Sequence, residues 1–308
     1  MSIVTLTMNP AVDIATRTGA VVTTDKMRCA TPRFDPGGGG VNVARTAGVL
    51  GEPVIAVFPA GGHTGRLLAD LVRAADVPCR AVPVAEPTRE SFSVTDTGAG
   101  SQYRFVFPGA RLTPAEQHRC LATVEKVAQG ARFLVVSGSL PPGVPADFYQ
   151  QVSDLAGVLE VPLIVDTSGP SLRELRGGVL LLKPSLRELA EYAGRPLAGR
   201  GEQVTAAREL IAAGVSRIVV VSLGAAGALA VTAGEHQWFA PVAVPVRSGI
   251  GAGDAMVAGI TVGLARGADL GDAVRLGIAA ATAALTTPGT GVGTRSRIEQ
   301  MYRQSGFR

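Results

Sequence analysis

Between residues 114 and 221 the chain changes register again and again. Helix-length stretches at 114–129, 147–159, 186–193 and 203–213 alternate with short apolar runs at 133–136, 163–165, 179–182 and 217–221. Short β-branched runs separated by a dozen or more residues cannot be joined by hairpins. Parallel strands with helical crossovers are the arrangement that fits, and a parallel sheet needs helices on both faces. Earlier strands at 2–7 and 54–59 and a helix at 64–75 extend the same rhythm. The fold class is therefore α/β, a central, mostly parallel sheet flanked by helices. A content of 46% hydrophobic but only 5% aromatic residues suits such a sheet better than an aromatic-rich sandwich. Two segments fall outside the rhythm. Residues 14–36 are turn-punctuated, and 90–107 read as a hairpin around Gly98-Ala99-Gly100. Antiparallel strands are expected over 227–246, then two small-residue helices. With no linker, repeat or low-complexity tract, the 308 residues form one domain, 1–308, with a small β-sheet lid made from about 14–36 and 90–107.

Bulk properties narrow the function. The net charge is +4, but no Lys/Arg block or interleaved aromatic stripe goes with it, so nucleic-acid binding has no support. Cys29, Cys79 and Cys120 are odd in number and far apart, as are His63, His118 and His236, which argues against a protein-built metal cage and for a reducing compartment. No signal peptide precedes the first strand, and the most apolar late stretch, Leu276 to Leu285, is too short to span a bilayer. These readings lead to the expectation of a cytoplasmic protein that binds no membrane.

Chemistry concentrates at Gly249-Ile250-Gly251-Ala252-Gly253-Asp254. Glycines at alternate positions let a ligand approach the backbone, and the apolar run behind them reads as a buried helix. Free N–H groups and the positive helix end suit an anion there. Asp254 is either a simple helix start or a base removing a proton from a hydroxyl that attacks a phosphoryl group, and the residues alone leave both open. Other candidates follow strands. Asp13 comes just after the first, with Ser137-Gly138-Ser139, Asp166, Lys183 to Glu188, and Ser222 to Gly227 after later ones, where open α/β sheets collect ligands. No G-x-x-x-x-G-K-[ST], early G-x-G-x-x-G, H-E-x-x-H or G-x-S-x-G occurs, which excludes P-loop kinases and gives no support to nicotinamide oxidoreductases or common hydrolases.

Asn9-Pro10-Ala11-Val12-Asp13, Gly37 to Asn42, and Gly251-Ala252-Gly253-Asp254 together resemble the PfkB (ribokinase-like) family of sugar kinases, from the first strand to the last helices. The stretches Pro36 to Arg45, Lys26 to Cys29 and Tyr103 to Gly109 look most like the branch that acts on fructose 6-phosphate. The resemblance implies a ribokinase-like fold and an ATP- and Mg²⁺-dependent kinase making fructose 1,6-bisphosphate in glycolysis. It leaves open a monovalent cation. Asp254 would be the base, and Gly251, Ala252 and Gly253 would offer N–H groups to the transferred phosphoryl. Asp13, Gly38, Gly39 and Asn42 would hold sugar hydroxyls, with Lys26, Arg28, Arg89, Arg104 and Ser139 completing the sugar-phosphate site. Lys183, Ser185, Ser222, Gly224 and Gly227 would surround the nucleotide, and Glu188 and Asp166 would organise the metal's water shell.

Two departures stand out. Ser185 occupies the place of the family's usual asparagine after Lys-Pro, and Gly249-Ile250 stands where Thr-Val is common. Both read as tuning, since Asp254 and Glu188 remain. The helix dipole is expected to lower the pKa of Asp254. Apolar residues such as Phe92, Tyr103 and Phe105 in the lid imply a homodimer paired lid to lid. Tagatose-6-phosphate kinase and 1-phosphofructokinase are the alternative activities; a non-catalytic sugar-phosphate sensor is the alternative class.

Overall fold

A computed structural model describes residues 2–305. The first strand, β1 (Ile3–Leu6), is buried throughout, as a strand covered on both faces must be. The chain then leaves the main sheet for β2 (Ala11–Thr18) and β3 (Arg33–Gly37) and returns through α1 (Gly39–Val49), β4 (Val54–Ala60), α2 (Gly62–Ala74) and β5 (Cys79–Pro83). It leaves again for β6 (Arg89–Asp96) and β7 (Ser101–Val106). Regular alternation follows: α3 (Pro114–Ala128), β8 (Phe133–Ser137), α4 (Phe148–Val158), β9 (Leu163–Asp166), the short α5 (Pro170–Arg173), β10 (Val179–Leu182), α6 (Leu186–Ala193), α7 (Arg200–Ala212) and β11 (Ser216–Ser222). A tight turn at Gly224–Ala226 leads to β12 (Ala228–Val231) and β13 (His236–Phe239), and α8 (Ala252–Ala265), α9 (Leu270–Leu285) and α10 (Arg295–Ser305) close the chain.

The main sheet has the order β13-β12-β11-β10-β9-β8-β1-β4-β5, parallel from β5 to β11 and antiparallel at β12 and β13. Alternation divides its side chains between two cores. Ile3 faces a layer with Val41, Val257 and Ala280 of α1, α8 and α9, and Val4 and Leu6 face one with Val124, Val152 and Leu210 of α3, α4 and α7. Strand order reverses at β1. Later segments build outward on one side through β4 and β5, and on the other through β8 to β11. Open α/β sheets gather ligands outside the carboxyl ends of strands at such a reversal, and Ser137 ends β8 there.

The second sheet, β3-β2-β6-β7, is where the expected lid segments differ in detail. Its first half spans 11–18 and 33–37, and residues 19–32 between them form an exposed loop, because that stretch has no apolar alternation to bury. Asp13 therefore sits inside β2, between Asp35 of β3 and Ser91 of β6, rather than in a turn after β1. Every residue of the edge strand β7 is exposed. The antiparallel pair expected through 246 ends at Phe239; Pro241 and Pro245 deny the ladder two donors, and 240–246 runs unpaired. No helix among the described residues is long and apolar enough to cross a membrane.

Candidate active site

The site is organised by the start of α8. Gly251 takes a left-handed backbone conformation at the N-cap, φ 77°, which turns the chain sharply into the helix. The first N–H groups of a helix lack intrahelical partners, so the turn 251–254 presents donors and a positive dipole end at the mouth of the cleft. Asp254 stands in this first turn with partial solvent access. Its two oxygens are held from different elements. Asn42 of α1 donates Nδ2 to Oδ2 at 3.0 Å, and Ser137 at the end of β8 donates Oγ to Oδ1 at 3.1 Å. Gly39 makes this possible: a Cβ there would lie 2.3 Å from the Ser137 Oγ and 2.7 Å from its carbonyl carbon.

Asp254 departs from the sequence expectation in one respect. Its pKa is raised, not lowered. Loss of solvent disfavours the carboxylate more than the hydrogen bonds of Asn42 and Ser137 and the charges of Lys183 and Arg104 favour it. The helix end favours the carboxylate, but the protein packed around the group outweighs it.

Lys183, at the end of β10, is buried and pairs with Asp166, at the end of β9, at 3.3 Å. Burial raises Asp166 to about 6; Lys183 opposes this, while Asp254 and Glu188 add to it. A Cβ on Gly253 would lie 3.7 Å from Lys183 Nζ, so cation and helix start face the same space. Among the described residues no cluster of three or more His, Cys, Asp or Glu side chains could cage a metal. Mg²⁺ keeps most of its waters and needs only one or two carboxylates plus phosphate oxygens. Asp166 fits that part well. Glu188 fits it with one oxygen already used: Oε2 accepts from Ser185 N at 2.8 Å while Glu188 N donates to Ser185 Oγ at 3.3 Å, a reciprocal cap on α6. Serine therefore does locally what asparagine would do at position 185, with its hydroxyl engaged by the helix.

Beside these groups lies a cavity of about 580 Å³. Ser222, Gly224, Gly227, Gly249, Ala252 and Gly253 form its polar and glycine-rich end, and Val242, Val244, Met256 and Leu285 form an apolar wall. A polar end and an apolar wall fit the two ends of a nucleotide. The unpaired run 240–246 supplies that wall.

On the opposite side the structure brings together Asp13, Arg89 and Arg104. Burial raises Asp13 to about 6, with Arg104 and Arg89 pulling it down and Asp35 pushing it up. Arg89 uses three of its five N–H donors on backbone carbonyls, Asn9 at 3.0 Å, Phe107 at 3.1 Å and Pro10 at 3.4 Å. Two remain for a ligand. Arg104 lies exposed on β7. Ser139 accepts a hydrogen bond from Asn9 Nδ2 at 3.2 Å. Lys26 and Arg28 are exposed in the 19–32 loop and are not among the charges acting on Asp13; no ionic pattern in that loop draws them inward.

Two side chains with no role assigned from the sequence belong to this site. Ser137 was visible as a strand-end serine, with nothing to set it above Ser139. Arg45 follows Asn42 by three positions on α1 and donates to its Oδ1 at 3.2 Å.

The region from residue 6 to residue 297 matches the pfkB family of carbohydrate kinases. The chain belongs to that family. It is 53% identical over 300 residues to ATP-dependent 6-phosphofructokinase isozyme 2 of Mycobacterium tuberculosis, covering 97% of this chain and 88% of that protein. Identity to the 1-phosphofructokinase of Rhodobacter capsulatus is 34%, over 98% of this chain and 96% of the relative. Crystal structures of phosphofructokinase-2 from Escherichia coli superimpose closely. The complex with fructose 6-phosphate gives a TM-score of 0.92 at 38% identity, and the complex with potassium gives 0.94 at 39%, each covering 99% of both chains. These likenesses agree with the ribokinase-like α/β fold and sugar-kinase chemistry expected from the three motifs.

Proposed function

We propose that this chain transfers the terminal phosphoryl group of ATP to the 1-hydroxyl of fructose 6-phosphate, giving fructose 1,6-bisphosphate and ADP. The observation that carries the reading is Asp254, anchored by Asn42 and Ser137 at the positive end of α8, between an arginine-flanked pocket and an apolar cavity. In this reading Asp13, Asn42 and the backbone of Gly38 and Gly39 hold the sugar hydroxyls. Arg89 and Arg104 take its phosphate by forked, charge-assisted bonds. Ser139 adds a hydroxyl, and Lys26 and Arg28 stay in the set as loop cations. Asp254 accepts the proton of the 1-hydroxyl, and the N–H groups of Gly251, Ala252 and Gly253 meet the charge developing on the phosphoryl oxygens. A loose transition state moves the proton late, so a carboxylate suffices as base.

Lys183, Ser185, Ser222, Gly224 and Gly227 surround the nucleotide in this reading. Mg²⁺ neutralises phosphate charge, with Asp166 and Glu188 ordering its waters. A monovalent cation is part of the proposal, on the strength of the potassium-bound Escherichia coli enzyme. The whole chain acts as one kinase domain, with the second sheet as its lid. The exposed β7 edge, with Tyr103 and Phe105 exposed on it, supports a homodimer joined lid to lid. Three free cysteines fit a cytoplasmic setting.

The test is ADP release with Mg·ATP and fructose 6-phosphate, tagatose 6-phosphate or fructose 1-phosphate in parallel. Highest kcat/KM on fructose 6-phosphate is expected. Preference for tagatose 6-phosphate or fructose 1-phosphate moves the activity to the corresponding relative, and tight sugar-phosphate binding without turnover identifies a sensor.

A further inference from the structure

Arg45 lies on α1 with 9% of its surface exposed, an unusual place for a guanidinium. Among the described residues it makes no ion pair within 4 Å. Its Nη1 donates instead to three oxygens: Asn42 Oδ1 at 3.2 Å, the Pro36 carbonyl at 3.2 Å and the Thr290 carbonyl at 3.0 Å. Nη1 has two hydrogens for three acceptors, so one is shared. Pro36 belongs to β3 of the second sheet, and Thr290 belongs to the loop between α9 and α10. The charges around Arg45 are Asp35 and Arg33 of β3 and Asp13 of β2.

An asparagine amide is nearly symmetric in shape, and a carboxylate beside it needs the N–H end. Arginine has only donors. Placed against Asn42, it admits the amide oxygen and rejects the amide nitrogen, so the nitrogen points at Asp254 Oδ2. The opposite rotamer would set an N–H against a guanidinium and an oxygen against a carboxylate, two repulsions in place of two bonds. Helix geometry supplies the spacing: side chains three apart on a helix are neighbours.

We propose that Arg45 is a positioning residue for phosphoryl transfer, which fixes the orientation of the Asn42 amide and through it the carboxylate of Asp254. The inference rests on the reading of Asp254 as the base. Arg45 touches neither sugar nor nucleotide in this account. Its loss therefore changes the chemical step and leaves nucleotide binding as it was.

The test is steady-state kinetics with Mg·ATP and fructose 6-phosphate for wild type, Arg45→Met, Arg45→Lys, Asn42→Ala and the two Arg45 variants combined with Asn42→Ala, with Asp254→Asn beside them. Arg45→Met is expected to lower kcat by about ten- to a hundredfold with KM for ATP unchanged, an interaction lost mainly in the transition state. Arg45→Lys, whose ammonium can donate to the same oxygens but ends a shorter, unbranched side chain without the planar fork, is expected to lose about threefold. In the Asn42→Ala background neither substitution should cost anything further, since the route through the amide is already gone. Equal losses in both backgrounds, or an unchanged kcat in folded Arg45→Met, overturn the proposal. If circular dichroism finds Arg45→Met unfolded, Arg45→Lys decides by the same comparison: loss only with Asn42 present supports it, while loss in both backgrounds or in neither overturns it. Activity surviving in Asp254→Asn instead removes the base itself, a failure distinct from that of Arg45.

Discussion

At the scale of single residues, the candidate centre is a set of carboxylates kept from easy ionisation. The base form of Asp254 is its carboxylate, and burial raises its pKa. The acid limb of kcat against pH is therefore expected above the ordinary aspartate range near 3.8, with activity falling as pH drops through it. A limb at or below that value contradicts the electrostatic account. Asp13 gives a prediction on stability. Its folded pKa of about 6 exceeds the ordinary aspartate value of 3.8, so the folded state binds the proton more tightly. Its favourable contribution is complete below the unfolded pKa and disappears as pH rises through about 6. Asp13→Asn should gain stability relative to wild type between pH 4 and pH 8, by at most about 3 kcal/mol at the upper end. Urea midpoints that stay parallel across that range contradict it. Asp254 was legible in the chain because its glycines are local to it. The roles of Ser137 and Arg45 were not, because their partners come from tertiary structure: Asp254 lies 117 residues from Ser137, and Thr290 lies 245 residues from Arg45.

At the scale of elements, caps and close approaches decide what the site tolerates. Ser185 and Glu188 close the start of α6 reciprocally. Ser185→Ala is expected to cost about 1 kcal/mol in a urea titration, and Ser185→Asn, also a good cap, close to nothing. Equal losses for the two would separate Ser185 from the cap. Gly39→Ala places a methyl group against Ser137 side chain and backbone, so lost activity and a lower melting temperature are expected together. Long periodic helices were readable from their period, and fully buried strands from their short length and β-branched content. The edge strand β5 escaped because Pro78 precedes it, Pro83 ends it and three of its five residues are exposed. Helix α10 escaped because polar and basic residues dominate it, with Ile298 and Met301 alone among its described residues buried. The sequence also could not reveal that residues 240–246 abandon the ladder to wall a cavity.

At the scale of the whole molecule, the reversal of strand order at β1 sets the second sheet, the end of β8 and the start of α8 around one cleft. Motifs at residues 9–13, 37–42 and 251–254 were readable as one family's set, although only folding makes them neighbours. The β7 edge makes a claim about assembly. Light scattering should give twice the chain mass for wild type, and Phe105→Asp, charged on that exposed strand, should give the single-chain mass. A wild-type monomer at working concentration contradicts the lid-to-lid dimer. The most direct test of the account is turnover of fructose 6-phosphate with Mg·ATP by wild type and Asp254→Asn side by side. Asparagine keeps the shape and loses the base, so kcat is predicted to fall by about two to four powers of ten. Equal turnover by the two proteins would contradict the assignment of Asp254 as the group that takes the proton.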